Sequence, residues 1–360
     1  VTTGLQNTLI GGLSGDAITT ANNNTAVGYL SLSASQTGEQ NVAVGVQALS
    51  AATGDNNTAV GMNAGLSVTS GVSNTFVGAL AGDAQTTASN NTGVGKSVLS
   101  ANTTGANNVA LGYQALFSNT DISNLTAVGY GAAFANTSGA SITAIGYRSL
   151  IANTSGSSNT ALGRDTLAAN TTGSNNTAIG SDSLEANTTG AGNTAIGAVA
   201  LTANTTGANN TGIGYGALDA NTTGASNTAL GAFTLSATTT GSSLTALGTL
   251  ALSANTSGSS NVAVGYGSGT TLTTGDANIA VGFGVDAVDT GQQSEEFAAV
   301  AAQSSRARLC GGFLRRIGRT KTNGSDSWLK NDRNENNYTD RSTLKQCHGD
   351  WLQKQTNFRN

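Results

Sequence analysis

The chain has 360 residues and a formal net charge of −4; 9% of its residues are charged, 5% are aromatic, 49 are Gly and none is Pro. An ordinary globular protein has about 25% charged residues, so the composition excludes a highly charged disordered chain and argues against a thick hydrophobic core. Residues 1–290 hold three basic and twelve acidic side chains, and this acidic body argues against nucleic acid as a partner.

The start of the chain gives little information about its compartment. Val1 enters part-way through a repeat, as expected of a fragment or a processed product. No basic segment followed by an apolar one marks a secretory signal. No uninterrupted apolar run reaches the roughly 18 residues of a membrane-spanning helix, so no membrane insertion is expected within this chain.

A repeat runs through the body. Its anchor is the Gly that ends Asn-Thr-Ala-Val-Gly and related segments, in seventeen copies from Gly11 to Gly282. The anchors are 17 residues apart, except for a spacing of 16 between Gly45 and Gly61. Val, Ile or Leu precedes every anchor, a β-branched residue stands third before it, and Asn stands fourth before it in fourteen copies. A period this strict is typical of a stacked repeat protein.

Each unit predicts a strand, a bend, a second strand and a loop. Thr-Ala-Val is β-branched and alternating, which indicates a short strand. The anchor Gly permits a bend, the following Ala-Leu segment predicts the second strand, and segments such as "ANTTGANN" (101–108) supply turn residues. A unit of this size buries too little surface to fold alone. The sequence therefore predicts an all-β protein, a parallel β-solenoid or β-roll of seventeen 17-residue repeats over residues 1–290.

Residues at the same position of successive repeats form columns, and these columns also predict which side chains face inward. Thr third before the anchor shares its parity with the Val, Ile or Leu just before the anchor, so both are expected to face the interior. The Asn column is expected to form a hydrogen-bonded ladder between rungs. Asn102, Asn136, Asn153 and Asn170 stand in Asn-x-Ser/Thr sites; turn chemistry is favoured there over glycan attachment.

The segments "NVAVGVQALSAATG" (41–54) and "NTAIGAVALTANTTG" (193–207) resemble the head repeats of trimeric autotransporter adhesins. Similar arrays occur in the tail fibres of bacteriophages. The resemblance covers about residues 5–290. It implies a left-handed parallel β-roll, assembly as a homotrimer, and a surface-exposed fibre that contacts another surface.

Tyr provides the candidate binding residues. Six of the seven Tyr directly follow an anchor Gly, and Tyr113, Tyr130 and Tyr147 lie on successive repeats. One interpretation is aromatic stacking that supports the rungs or a contact between chains. The other is a surface stripe that binds sugar rings. The candidate binding residues are Tyr113, Tyr130, Tyr147, Tyr215 and Tyr266.

Nothing in the body predicts catalysis. It contains no His and no Cys, and its acidic residues do not recur at one repeat position. The pair Asp182 and Glu185 is more typical of a solvated loop than of an acid–base pair. No Gly-rich segment is followed by the Lys-Ser/Thr of a phosphate-binding loop. The sequence therefore predicts that the protein is not an enzyme and that it uses no metal and no cofactor.

Residues 291–360 differ from the body, with twelve basic and seven acidic residues. A helix is predicted over 294–309, and "FLRRIGRTK" (313–321) is a basic cluster. Cys310 and Cys347 are candidates for a disulfide, and Cys347-His348 lacks the partners of a zinc site. A cap, an attachment or trimerisation module, a tail, and an altered reading frame all remain open for this segment.

The expected function is structural and adhesive. The sequence predicts an extracellular homotrimeric fibre, either in a virion tail fibre or on a bacterial cell surface, that attaches to a cell by multivalent display. Its expected partners are a host-cell receptor or glycan and other fibre or virion components. The alternative is a monomeric ligand-binding β-solenoid such as an ice-binding protein.

Overall fold

The structure, a computed structural model, describes residues 3–287 and 295–297. This part of the chain contains no helix and consists of short parallel strands joined by turns. Successive repeats form successive rungs of one β-solenoid, as the period of the sequence predicts. Each rung contributes one strand of three residues.

The strands recur once per repeat along the whole body. They are β1 (Thr8–Ile10), β2 (Thr25–Val27), β3 (Val42–Val44), β4 (Thr58–Val60), β5 (Thr75–Val77), β6 (Thr92–Val94), β7 (Val109–Leu111), β8 (Thr126–Val128), β9 (Thr143–Ile145), β10 (Thr160–Leu162), β11 (Thr177–Ile179), β12 (Thr194–Ile196), β13 (Thr211–Ile213), β14 (Thr228–Leu230), β15 (Thr245–Leu247), β16 (Val262–Val264), β17 (Ile279–Val281) and β18 (Glu295–Phe297).

Each strand pairs in parallel with the strand of the next rung, and each residue lies opposite the residue at the same repeat position. Thr177 of β11 lies opposite Thr194 of β12, for example. The short interval between β3 and β4 keeps this register, with Val42 opposite Thr58. The missing residue falls in the loop, where Thr53 alone stands between Ala52 and Gly54 and the other rungs have two residues at that place.

The predicted second strand is absent, and a left-handed turn stands in its place. In the β12 rung Val199 has a φ of 52° and Leu201 a φ of 53°. Strands require a negative φ, so these residues fold the chain back into the coil. Stacking still satisfies their backbone, because Leu201 N–H donates to Ala217 on the next rung at 2.9 Å. The prediction of two strands per repeat was therefore wrong.

The predicted facing of the strand was also wrong. The central Ala of each strand points inward and is fully buried, as at Ala195, whereas Thr194 and Ile196 on either side of it are only half-buried. Leu201 enters the same interior from the turn and is also fully buried. Buried Asn side chains fill the rest of the rung. This narrow interior leaves room for a methyl group at the strand centre, so the branched side chains face out.

One rung exchanges its large and small residues. Phe76 takes the place of the central Ala in β5 and is fully buried. Gly82 stands in the same rung where most rungs have the inward-facing Leu, and a Cβ there would lie 2.5 Å from the Phe76 ring. The neighbouring Gly93 would meet the same ring at 3.1 Å. The volume added at Phe76 is thus removed from the glycine positions around it.

The anchor glycines occupy a conformation that other residues avoid. Gly197 has a φ of 134°, and a Cβ there would lie 2.5 Å from the carbonyl oxygen of Gly214 on the next rung. Both the dihedral and the close approach of two backbones exclude a side chain. This explains why Gly directly follows each of the strands β1 to β17.

Two ladders of buried Asn cross the interior. The first Asn ladder is the column fourth before the anchor: Asn193 N–H donates to Asn176 Oδ1 at 2.9 Å. The second Asn ladder is the column seventh after the anchor: Asn187 Nδ2 donates to Asn170 Oδ1 at 2.8 Å. The carbonyl of Gly190 accepts from both ladders, at 2.9 Å from Asn176 and 3.0 Å from Asn187. The predicted Asn ladder is therefore confirmed, and a second one accompanies it.

The second Asn ladder contains the Asn-x-Ser/Thr sites. Asn102, Asn136, Asn153 and Asn170 are fully buried. Asn153 Nδ2, for example, donates to Asn136 Oδ1 at 2.9 Å and to Gly156 at 3.0 Å. A glycan requires this nitrogen to be accessible, so the fold supports the turn interpretation of these sites.

The ladder of strands continues past the predicted boundary at residue 290. β18 pairs in parallel with β17, which places Glu295 opposite Ile279. Residues 295–297 are therefore extended, although the sequence predicted a helix over 294–309. The basic cluster at 313–321, Cys310, Cys347 and His348 lie outside the described residues.

Candidate functional site

Three of the predicted Tyr residues form a continuous stack on the surface. Tyr113, Tyr130 and Tyr147 directly follow their anchors on successive rungs, and their side chains are 40%, 48% and 49% exposed. The ring centroids are 5.3 Å apart in both pairs, with interplanar angles of 20° and 21°. The rings therefore support one another and present their edges and hydroxyl groups to solvent.

The other Tyr residues lie elsewhere on the same column. Tyr215 and Tyr266 are four and seven rungs beyond Tyr147, and both are exposed. Tyr215 meets Phe233 edge-on at 5.2 Å, and Tyr266 stacks on Phe283 at 5.3 Å. The predicted set of five is thus one group of three and two separate aromatic pairs.

All three basic residues of the body lie beside the Tyr stack. Lys96 precedes Tyr113 by one repeat in the same column, Arg164 follows Tyr147 by one repeat, and Arg148 directly follows Tyr147. Sequence reasoning missed this grouping. The signal was available, because Lys96 and Arg164 share the repeat position of the three Tyr residues that separate them.

Two carboxylates hold the arginines in place. Arg164 Nη1 donates to Asp165 at 2.7 Å and its Nη2 donates to Asp182 at 2.5 Å, while Arg148 Nε lies 3.5 Å from Asp165. The side chains of Asp165 and Asp182 are only 9% and 19% exposed, whereas those of Arg148 and Arg164 are 46% and 56% exposed. The two positive and two negative charges of this ion cluster balance, and the guanidinium groups form its outer surface.

A second apolar row lies on the same three rungs as the Tyr stack. Phe117 and Phe134, each fifth after its anchor, stack at 5.1 Å with an interplanar angle of 10°. Ile151 is the next residue in that column, and a Cβ on Gly131 would lie 3.2 Å from its Cδ1. Ile151 thus covers the backbone between the two rows.

The interior of these rungs is unusual as well. Leu125 and Ile142 replace Asn in the first Asn ladder, and both are 1% exposed. Leu125 N–H still donates to Asn108 Oδ1 at 2.9 Å. The rungs with the aromatic rows outside therefore have a more apolar interior, which strengthens the support under the Tyr stack.

The outward face of the strands forms a second candidate surface. We call it the strand face: the Thr, Val or Ile that opens each strand together with the Val, Ile or Leu that closes it, from β1 to β17. Val60, Val77 and Val94 on three successive rungs are 37%, 37% and 36% exposed, and Leu162 is 43% exposed. Large apolar side chains are thus exposed at regular intervals on a flat sheet.

The acidic residues of the described part do not form a reactive cluster. Asp182 is engaged by Arg164, and burial raises the pKa of Asp219 above its ordinary value of 3.8, although hydrogen bonds from the backbone N–H groups of Asp219 and Ala220 lower it in part. No group of three or more His, Cys, Asp or Glu with the geometry of a metal site occurs among the described residues. The same residues include no helix of the length and hydrophobicity needed to cross a membrane.

Comparisons of the chain with protein-family models, with curated proteins and with solved structures found no match.

Proposed function

We propose that the protein is a shaft segment of an extracellular homotrimeric fibre that attaches to a cell surface by multivalent display. In this proposal the strand faces of three identical chains pack against one another. The fibre belongs either to a phage tail or to a bacterial surface, as the resemblance implies. Its partners are a host-cell receptor or glycan and the neighbouring fibre components.

The observation that carries the proposal is the exposure of branched apolar side chains along the strand face. Sixteen rung-to-rung steps separate β1 from β17, which corresponds to about 77 Å at ~4.8 Å per step. Three residues give the face a width of about 10 Å. The face therefore covers on the order of 800 Å², which is the area that one partner contributes to a standard protein interface. The Val, Ile or Leu that closes each strand forms a continuous apolar row along this face, and an exposed apolar surface of this kind often marks an interaction site.

The repeat itself favours an identical chain as the partner. Side chains on the strand face recur with the spacing of the parallel ladder, so another rod with the same period matches them at every rung. A partner without that period would match only a few rungs. Closed assemblies of identical chains are also the commonest oligomers. The thin hydrophobic interior, mostly Ala with one Leu in most rungs, adds a reason for the chains to share a larger core.

Paired substitutions on two adjacent rungs test the interface. Val77→Lys with Val94→Lys places charges on the strand face, and we expect the mass in sedimentation equilibrium to fall from trimer to monomer. Thr87→Lys with Thr104→Lys places the same charges on exposed loop positions of the same two rungs and should leave the trimer intact. A monomeric wild-type chain, or equal masses for both variants, would overturn the proposed interface.

Attachment is tested with the same proteins. Labelled wild-type chain and the Val77→Lys/Val94→Lys variant are titrated onto a panel of bacterial cells. Three linked sites should increase the apparent affinity by about a hundredfold over a single site. Equal binding by the trimer and the monomeric variant, or no binding by either, would contradict multivalent display.

Ice binding is the second candidate, and one observation favours it. The regular Thr column faces solvent on a flat sheet, as at Thr177 and Thr194, which are half-buried rather than inward-facing. A Thr column that faced the interior could not form such a surface. A monomer with thermal hysteresis that is lost in a Thr177→Lys/Thr194→Lys variant would support ice binding over the fibre.

A further inference from the structure

We propose that Tyr113, Tyr130 and Tyr147, together with Lys96, Arg148 and Arg164, form a binding site for a carboxylated polysaccharide that lies along the rod axis. These six residues are called the aromatic–basic patch. The inference names the ligand class for the display role proposed above and rests on it only in placing the site at a cell surface.

Charge selects the ligand. Residues 1–290 carry three basic side chains against twelve acidic ones, and all three basic side chains lie in this patch. Among the described residues, Lys96 takes part in no ion pair. Arg148 approaches Asp165 through Nε at 3.5 Å, and its two terminal nitrogens take part in no ion pair among the described residues. A chain of carboxylates is therefore attracted here and repelled by the remainder of the rod.

The arrangement of the patch selects a chain-like ligand. Lys96 and Arg164 are four rungs apart, a distance of about 19 Å at ~4.8 Å per rung. Three Tyr hydroxyl groups and ring edges lie between them with a centroid spacing of 5.3 Å, close to the length of one sugar residue in an extended chain. Hydroxyl groups of successive sugars can thus meet a Tyr at each rung, while carboxylates meet the cations at either end.

The patch is held rigid before any ligand binds. The Tyr rings stack on one another, and Asp165 and Asp182 fix Arg164 through two short hydrogen bonds. Because little side-chain freedom remains to be lost, binding incurs a smaller entropic cost. The terminal nitrogens of Arg148, which make no ion pair with Asp165, can also receive a carboxylate through paired hydrogen bonds.

The test measures binding of the full chain to polygalacturonate, alginate and polysialic acid. The control ligands are the same polymers with their carboxyl groups reduced to alcohols and a DNA oligonucleotide. We expect at least one carboxylated polymer to bind, its reduced form to bind about tenfold more weakly or not at all, and added salt to weaken binding. Failure of all three polymers, equal binding of a reduced polymer, or stronger binding of DNA would overturn the inference.

Matched variants locate the site. Lys96→Gln with Arg148→Gln, and separately Tyr130→Ala, should each weaken binding by about tenfold, the effect of losing one or two charge-assisted or aromatic contacts. Tyr266→Ala removes a stacked Tyr from the same column, seven rungs away and without a neighbouring cation, and should leave binding unchanged. An equal loss in Tyr266→Ala would contradict the assignment.

The outcome is separable from that of the proposed fibre. If the protein is a trimer that attaches to cells but does not bind carboxylated polymers, this inference is wrong and the proposed fibre is supported. If the protein is a monomer that binds carboxylated polymers at the aromatic–basic patch, the proposed fibre is wrong and this inference is supported.

Discussion

Asn221 Oδ1 is buried and accepts no hydrogen bond, because Thr238 occupies the position on the next rung where an Asn would donate to it. Between Asn136 and Asn221 this bond is made on every rung, as from Asn204 Nδ2 to Asn187 Oδ1 at 2.9 Å, whereas Asn119 Oδ1 and Asn255 Oδ1 are also buried without a partner. Thr238 thus interrupts a ladder that is continuous from Asn136 to Asn221. The interruption leaves a buried polar atom unsatisfied, which lowers stability.

Thr238→Asn should therefore stabilise the rod. The new amide would donate to Asn221 Oδ1 and offer an oxygen to Asn255 Nδ2, which donates to Gly258 at 3.0 Å and makes a 3.4 Å contact with Thr238 Oγ1. These contacts should outweigh the loss of the bond from Thr238 Oγ1 to the Asn255 carbonyl. We expect the free energy of unfolding to rise by about 1–2 kcal/mol, measured by urea denaturation at fixed protein concentration. Thr240→Asn, which adds the same side chain at an exposed position of that rung, should have no effect. A destabilised Thr238→Asn variant would show that the ladder does not govern stability.

Gly197→Ala should destabilise the rod strongly. The φ of 134° and the 2.5 Å distance from a Cβ to the Gly214 carbonyl oxygen act together, so the strain and the displaced backbone should cost about 3–6 kcal/mol. Gly284→Ala is the control, since its φ is 60° and its Cβ would meet nothing within 4 Å. That change should cost about 1 kcal/mol. Similar losses in the two variants would contradict the close approach of the anchors.

Phe76→Ala should leave a cavity, because Gly82 and Gly93 supply no side chain to fill the space. We expect a loss of about 3–5 kcal/mol in the free energy of unfolding. Adding Gly82→Leu restores the combination found in most rungs and should recover most of that loss. In the presence of Phe76, Gly82→Leu alone should destabilise by overpacking. Additive effects of the two substitutions would exclude a shared cavity.

Asp219→Asn should stabilise the protein at neutral pH. Burial raises the pKa of Asp219 in the folded state above its value in the unfolded chain, so the folded state binds the proton more tightly. The contribution of Asp219 to stability therefore falls as pH rises through that raised pKa, and it is recovered on acidification below 3.8. The advantage of the variant should shrink over the same range, measured by urea denaturation at several pH values. Asp16→Asn removes the same charge from an exposed position and reports the effect of net charge. A pH-independent advantage would exclude titration of Asp219 as its cause.

The period of the sequence predicted the fold because every rung must repeat the same backbone hydrogen bonds. The facing of side chains was not predictable from parity alone. In a strand of three residues, side chains alternate whether the two outer residues or the central one face inward. The branched side chains of Thr194 and Ile196 suggested that the two outer residues are buried. The narrow interior decides otherwise, since Leu201 and the Asn side chains already occupy it.

The turn was missed for a related reason. Leu and Val are poor candidates for a left-handed backbone, yet Leu201 and Val199 adopt it because stacking between rungs satisfies their backbone groups and buries the Leu side chain. The Tyr stack, in contrast, follows directly from a shared repeat position. Lys96 and Arg164 occupy the same repeat position one rung before and one rung after the stack, so the same alignment of repeats predicts them as its neighbours.

A cryo-electron microscopy map of the assembled rod tests the central proposal most directly, because it reveals the number of chains and the position of the strand face together. The proposal predicts three chains around one axis, with the side chains of Val77 and Val94 at the contact between chains and Tyr130 at the surface. A single-chain rod with the strand face in solvent would contradict it.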